Sequence, residues 1–600
     1  MKAKEIYHNI QNITSLHSKG EFIALTAAFP HINLSGDSDS AAFLIDRASG
    51  NIIKKIRGSD SSYSSASMDR EGKFAVFLEK KKSASYLLVL NTQTLTEERI
   101  ELPSKPGKLV VSGDIYIILE VLKKKDEESE GKDGVYFDEN IKKSKVFRYR
   151  FSEGFSPVTG DLHVWDFDVN EDTIVTIAST NPGEDNWFKS KIFLSTDGKD
   201  HLIYDPSPRL AAKPVISPDR TRVAFLESYW SDRGVTAGDV KVLSLKSGTV
   251  QNLTKDHLRS YGDVRWLDDG RIISAFNQCG RHGLSLIHNG FSEIWRGDGN
   301  FQPSFSPAIA INGSMIYASY TDANNPPEVI SVFENGDSST ITGINKKINF
   351  RAVQYQYVEW YSTDNKKISG IVRTKNKKNP LVVYLHGGPT SSSVLNFLDI
   401  PAILASEGFT VFMPNFRGST GMGSKFVEAN LGDMGGMDVE DILSGIDYIR
   451  GEGIADTTKI MVTGGSYGGF LTNILLCRRR FSAAVSLFGI SDWRSFHDTT
   501  QVPVWDLEYF RAKSGDWKKH EKFSPINFVE RIDTPLLMMH GEIDREVPFS
   551  QSLQLFRELK DLGKNVRLLL FPREGHGFRE RGHQDQYIEE MLKWFRKYSS

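Results

Sequence analysis

A serine with paired glycines on either side, Gly464-Gly465-Ser466-Tyr467-Gly468-Gly469, leaves this chain the fewest choices. It follows the apolar run Ile460-Met461-Val462 and precedes Phe470-Leu471-Thr472-Asn473-Ile474-Leu475-Leu476, a helix-like segment. A turn that sharp between strand and helix has no room for Cβ atoms beside the serine, which is why glycines surround it. The hydroxyl then stands clear of the sheet edge, at a helix N-terminus whose dipole favours a developing negative charge. The spacing predicts a nucleophile elbow with Ser466 as its nucleophile. In a chain with 50 glycines among 600 residues the motif alone also fits an ordinary glycine-rich turn, so other loops must decide.

Two of them do. Pro535-Leu536-Leu537-Met538-Met539 reads as a strand buried on both faces of a parallel sheet. It runs into His540-Gly541-Glu542-Ile543-Asp544, placing an aspartate just beyond the strand. Val566-Arg567-Leu568-Leu569-Leu570-Phe571 is a second strand, and Gly575-His576-Gly577 follows it. Ligands of open α/β sheets bind beyond the carboxyl ends of the strands, where all three loops fall. The chain order Ser466, Asp544, His576 is the α/β-hydrolase order. The chemistry needs each of these residue types. His576 takes the proton that makes the serine nucleophilic, and Asp544 fixes the imidazole and stabilises its cation. A fourth strand, Leu381-Val382-Val383-Tyr384-Leu385, leads into His386-Gly387-Gly388-Pro389. The N–H groups of Gly388 and of Tyr467, next to the nucleophile, are the candidate oxyanion hole. His386 is expected to hold its loop by hydrogen bonds rather than to react.

Taken in order, His386-Gly387-Gly388-Pro389, Asn415-Phe416-Arg417-Gly418-Ser419-Thr420-Gly421, the serine elbow, His540-Gly541-x-x-Asp544-x-x-Val547-Pro548 and Gly575-His576-Gly577 resemble the motif set of the prolyl oligopeptidase family. The His-Gly-Gly-Pro form is most similar to its acylaminoacyl-peptidase and aminopeptidase branch. The resemblance covers about residues 346–600. It implies an α/β-hydrolase catalytic domain, with a doubly wound and mostly parallel sheet, capped by a β-propeller. It also implies a cytosolic serine peptidase that cleaves short peptides or amino-acid amides through an acyl-enzyme, with no metal or organic cofactor.

The other half of the chain reads as all-β. From about residue 15 to 345 short apolar runs alternate with turns, and long amphipathic helices are missing. A loose repeat recurs at Asp69-x-x-Gly72-Lys73-Phe74, Ser217-Pro218-Asp219-Arg220-Thr221-Arg222 and Asp268-Asp269-Gly270-Arg271. Asp219 and Asp268 stand one propeller blade apart, ~40–50 residues, and that period leaves room for seven blades. Pattern alone leaves two stacked sandwiches open, although the period disfavours them. The expected domains are a propeller over 1–345, whose first dozen residues are candidates to pack on the other domain, and a hydrolase over 346–600. Residues 123–147, charged and irregular, are read as an insertion loop. Helical periodicity is expected at Met437 to Arg450, Ser550 to Lys564 and Gln586 to Tyr598.

Composition sets outer limits. A net charge of −2 without a basic stripe disfavours a nucleic-acid partner. Short clusters such as Lys123-Lys124-Lys125 and Arg478-Arg479-Arg480 read as solvated faces. Two cysteines, Cys279 and Cys477, exclude a disulfide framework and fit a reducing compartment. With no run of ~20 apolar residues, a cytoplasmic protein without a membrane partner is expected. A homo-oligomer stays open.

Substrate choice is the thinnest part. Trp493 and Phe496 fall where an apolar pocket for the residue before the scissile bond is expected, and a core position suits them nearly as well. Glu227 and Glu546 are acidic candidates for gripping a substrate amine. The leading expectation is an exopeptidase that releases acylated or free N-terminal residues. The alternatives are a carboxylesterase or small-amide hydrolase on the same triad, and a binding propeller on a decayed hydrolase.

Overall fold

Strands of the N-terminal half are apolar on both faces because each blade is covered on both sides. In the computed structural model, which describes residues 3–32, 38–121, 141–196, 198–288, 290–304, 306–351 and 353–599, seven antiparallel sheets follow one another along the chain. They span Asn12–Ile56, Ser62–Glu101, Pro106–Pro157, His163–Tyr204, Leu210–Asn252, Ser260–Gly297 and Asn300–Thr340. Side chains alternate across a strand, so Ala75 and Phe77 of the second blade pack on the first, while Val76 and Leu78 pack on the third. The result is a seven-bladed propeller. The three repeats occupy equivalent places, each being the turn between the first two strands of its blade. In two of the turns a side-chain oxygen accepts the amide that starts the next strand, Asp69 from Phe74 at 2.7 Å and Ser217 from Arg222 at 3.0 Å; in the third, Asp269 accepts the Arg271 amide within the turn at 3.1 Å.

Among the described residues, the first and last blades share no strand. They meet through an apolar cluster that joins Ile13, Leu25 and Phe43 to Ala310, Tyr317 and Val329. The Asn312 amide adds bonds to Ser18 Oγ (3.2 Å) and Gly20 O (2.9 Å). Where the chain enters and leaves the ring, Asn345 Oδ1 accepts the Gln11 amide (2.8 Å) and its Nδ2 donates to Gln11 O (2.9 Å). Most of the expected insertion at 123–147 lies outside the described residues. Its end is regular instead, because Ser144–Arg150 pairs as a strand of the third blade.

The rest of the chain builds one eight-stranded sheet. Its strands are β1 (Tyr355–Tyr361), β2 (Lys367–Arg373), β3 (Pro380–Leu385), β4 (Thr410–Asn415), β5 (Asp456–Gly465), β6 (Ala483–Leu487), β7 (Leu536–Gly541) and β8 (Val566–Phe571). They lie in the order β1-β2-β4-β3-β5-β6-β7-β8, antiparallel through the β2–β4 pair and parallel beyond it. Helices cover both faces, which makes this an α/β-hydrolase sheet. Leu381 and Val383 point into one core with Val439 and Leu471, and Val382 points into the other with Ala402 and Ile588. The helices run Met437–Gly451, Ser550–Asp561 and Arg581–Ser599. The second stops short of the expected Lys564 because Gly563 turns left-handed, with φ 67°. The last begins a turn earlier than its apolar periodicity indicates.

A short helix at Ala3–Tyr7 sends Ala3 and Ile6, and the turn after it Ile10, into the second of those cores, beside Leu398 and Trp594. Propeller and sheet are further joined along residues 421–428. Gly421 exchanges backbone and side-chain bonds with Cys279 (3.0 Å) and Ser260 (2.8 Å). Ion pairs join Lys425 to Asp256 and Glu428 to Arg209, each at 2.7 Å. Among the described residues no helix is long and apolar enough to cross a membrane.

Candidate active site

The ends of β3, β5, β7 and β8 lie at one sheet edge, so their loops meet there. At the end of β5 the chain turns into the helix Tyr467–Arg478 with Ser466 at φ 59°, ψ −122°. A non-glycine residue in that region costs about 1–3 kcal/mol, which the surroundings must supply. They do so by close packing. A Cβ on Gly468 would lie 2.2 Å from Leu385 O, and one on Gly464 would lie 2.6 Å from the same atom. The Ser466 amide is pinned to Leu487 O of β6 at 3.0 Å, and its carbonyl accepts the first helical bond, from Phe470, at 2.9 Å.

His576 follows β8 and Asp544 follows β7. The imidazole Nδ1 lies 2.8 Å from Asp544 Oδ2, so Nδ1 carries the proton given to the carboxylate and Nε2 is left as the base. The other oxygen of Asp544 accepts the amides of Glu546 and Val547, both at 3.0 Å. His540 braces this loop from β7. Its Nε2 bonds Val547 O at 2.8 Å and stands 3.4 Å from Asp544 Oδ2, while Nδ1 accepts from Ser552 Oγ at 2.7 Å. Burial would raise the Asp544 carboxyl, but its bonds to His540 and His576 outweigh that and bring it down to about 2. For His576 burial works toward a lower value. The bond to Asp544, its charge, and the charges of Glu546 and Asp232 outweigh burial and raise it above the ordinary 6.5.

That shift has a kinetic sign. The base must be neutral, and a raised pKa keeps it protonated to higher pH, so kcat is expected to rise with pH through an apparent pKa above ~6.5. A pH–rate profile that stays flat, or whose acid limb falls well below that value, would remove His576 from the role.

Ser466, His576, Tyr467 and Gly388 line one cavity of about 590 Å³ between sheet and propeller. The hydrolase contributes Ile490, Phe496, Val502 and Trp505 to its wall, and the propeller contributes Trp187 and Trp230. A second chamber of about 660 Å³ shares Ser466, His576, Gly388 and Asp232 with the first, so the reacting groups stand between two spaces. The Tyr467 ring is buried and its hydroxyl donates to Asp438, which fixes the residue that carries the candidate oxyanion amide. His386 bonds Gly387 O (2.8 Å) and Ser419 Oγ (2.7 Å) and stacks on Phe416, holding the Gly388 loop.

Among the substrate candidates, Phe496 and Glu546 face the cavity. Trp493 does not. It is fully buried, stacked on Trp505 and packed against Phe510 at the start of the helix Trp493–Thr499. Glu227 does not either. Its carboxylate is buried and neutralised by Lys241 and accepts from the Tyr204 hydroxyl at 2.7 Å. Missed by sequence reasoning were Trp505, Trp187, Trp230 and Asp232. Only Trp505, close after the elbow region on an aromatic-rich segment, carried a local signal.

Comparison with known proteins agrees with this arrangement. Residues 396–600 match the sequence profile of the Prolyl oligopeptidase family. The Bacillus subtilis peptidase YuxL is 33% identical over 46% of this chain and 44% of its own length. The acylamino-acid-releasing enzyme of Arabidopsis thaliana is 34% identical over 38% of this chain and 31% of its own. The matched part of the chain thus spans less than half the length of these relatives. The solved Pyrococcus horikoshii acylaminoacyl peptidase superposes with a TM-score of 0.82 over 100% of this chain and 97% of that one, at 20% identity, so the two share a fold. The elbow and both completing loops lie inside the segment that matches the prolyl oligopeptidase family profile.

Proposed function

We propose that this chain is a serine exopeptidase that cleaves close to the N-terminus of short peptides. The observation that carries the reading is a cavity between the propeller and the sheet that Ser466, His576 and the two residues offering the candidate oxyanion amides, Tyr467 and Gly388, all line. Nε2 of His576 takes the Ser466 proton as Oγ attacks the carbonyl carbon. The amides of Tyr467 and Gly388 receive the oxyanion, and Asp544 stays ionised beneath the imidazolium. His576 then passes its proton to the leaving amine, and water repeats the sequence on the acyl-enzyme. The names of the curated relatives support a peptidase acting at N-termini. Two free cysteines, Cys279 and Cys477, fit a reducing cytoplasm.

A roofed cavity selects by size. Peptides up to a few tens of residues are expected to be cleaved, and native globular proteins left whole, because a folded chain cannot thread between the domains. Mass spectrometry of a graded peptide series beside a native globular protein checks this. Digestion of the native protein at a rate comparable to the peptides would overturn the roofed-site reading.

A further inference from the structure

Two helices supply aromatic rings to the wall of the catalytic cavity, and each carries a titratable residue directly after its wall residue. Phe496 lies on the helix Trp493–Thr499 and Trp505 on the helix Pro503–Phe510, and both line the cavity. Their rings meet edge to face at 5.9 Å. The next residues, His497 and Asp506, bond to each other across the same pair of helices. Nδ1 of His497 stands 3.1 Å from Asp506 Oδ2 and 3.2 Å from Oδ1. A third helix, Lys518–Phe523, adds His520, whose Nε2 lies 2.6 Å from Asp506 Oδ2. None of these three groups takes part in the triad chemistry.

The Asp506 and His520 side chains are wholly shut off from solvent, while His497 keeps 17% of its side-chain surface exposed. Among the described residues no lysine or arginine pairs with Asp506, so the two histidines are what this carboxylate has to offset its burial. Nδ1 of His520 has no hydrogen-bond partner, and its ring is flanked by Phe510 at 4.7 Å and Trp517 at 4.9 Å. Its proton therefore belongs on Nε2, where Asp506 accepts it. The variable charge of the cluster is His497. It faces Asp506 on the second helix, the His520 ring at 6.5 Å on the third and the Trp517 ring at 4.8 Å. On its own helix it feels Asp498 and Arg494, which pair with each other at 3.2 Å. The bond to Asp506, with the charges of Asp506 and Asp498, outweighs burial and Arg494 and raises the imidazole above the ordinary 6.5. The ionic pair is thus complete below the ordinary value. It is lost as pH rises through the raised one, leaving Asp506 with hydrogen bonds alone.

We infer that His497, Asp506 and His520 are the positioning residues of the cavity's aromatic wall, and that the charge on His497 sets how well Phe496 and Trp505 hold a large apolar side chain beside the scissile bond. The inference rests on the serine peptidase reading above. Each wall ring is one residue away from a member of the cluster, so a shift of either helix at 497 or 506 is carried straight to the ring beside it. Ser466, Asp544 and His576 stand on other elements and keep their places. A small side chain makes few contacts with the wall and responds little to its setting.

The test uses the full chain and matched phenylalanyl and alanyl 4-nitroanilides in free, N-acetylated and glycyl-extended forms, read in whichever form turns over fastest. Titration of the triad and of the substrate amine enters both kcat/KM values alike and cancels in their ratio, phenylalanyl over alanyl. From about pH 6 to about pH 9 the wild-type ratio is expected to fall about 10-fold, through KM rather than kcat, as for a large side chain losing part of its pocket. His497→Asn puts an amide donor near the place of Nδ1 with no charge to lose, and is expected to give a low ratio that no longer changes with pH. Asp506→Asn is expected to do the same; should it fail to fold, the partly exposed position 497 decides alone. A wild-type ratio that is flat with pH overturns the inference, and so does a pH dependence that survives in His497→Asn, since a merely structural cluster would weaken both substrates alike. Fluorophosphonate labelling of the same preparations separates the two readings. If Ser466 labels and the ratio fails, only wall positioning falls; if Ser466 does not label, the peptidase reading falls and takes this inference with it.

Discussion

Ser466→Ala is expected to lower kcat by about 10⁴–10⁶-fold while leaving the protein folded. Oγ is the atom that bonds to the substrate, and Ser466 lines both cavities together with His576 and Gly388. Truncation to alanine keeps the Cβ and the backbone at φ 59°, so the close packing at Gly464 and Gly468 is undisturbed. A fluorophosphonate probe should label the wild type and leave the variant unmodified, with superimposable circular dichroism. Equal labelling of the two proteins would place the nucleophile elsewhere.

The second large effect is expected at Asp544. Asp544→Asn should lower kcat about 10⁴-fold, because an amide turned toward His576 favours the wrong tautomer and no longer stabilises the imidazolium. The substitution also removes the bond and charge that raise His576, so the acid limb of the remaining activity should move to lower pH. Both changes are read from one pH–rate profile of the variant. A loss below tenfold, with the acid limb in place, would mean that the imidazole is oriented by something other than Asp544.

What the sequence disclosed and what it hid divide along the range of the interactions. The strand ends that carry Ser466, Asp544 and His576 were legible because each is a buried run that stops in a turn, and both parts of that signal lie within a few residues. The propeller was legible through its turns, since Asp69, Ser217 and Asp269 each accept a backbone amide at the turn of a different blade. Trp493 and Phe496 sit three apart on one helix, yet one is sealed against Trp505 and Phe510 while the other meets the cavity. Both share one face of that helix and are buried, so which of them reaches the cavity wall depends on what packs against each, which periodicity over seven residues does not fix. Glu227 was misread for a similar reason. Its partners Lys241 and Tyr204 come from other strands of the propeller, and nothing local announces that pairing. Asp232 left no mark because its place above the nucleophile depends on a contact between Ser231 and Thr390, 159 residues apart in the chain.

The reciprocal bonds between Gln11 and Asn345 make the seven blades a single excursion of the chain that returns to where it left. The entropic cost of closing such an excursion grows only with the logarithm of its length, about 0.6 kcal/mol per doubling, so a whole propeller weighs on the joint little more than a long surface loop does. The hydrolase is accordingly a domain with an insertion: Ala3, Ile6 and Ile10 complete a core whose other members follow the last blade. A graft that exchanges the propeller should therefore be cut at these two residues, leaving the first ten residues with the hydrolase, since a cut placed after the helix in a simple N-terminal and C-terminal division would strip that core of part of its packing.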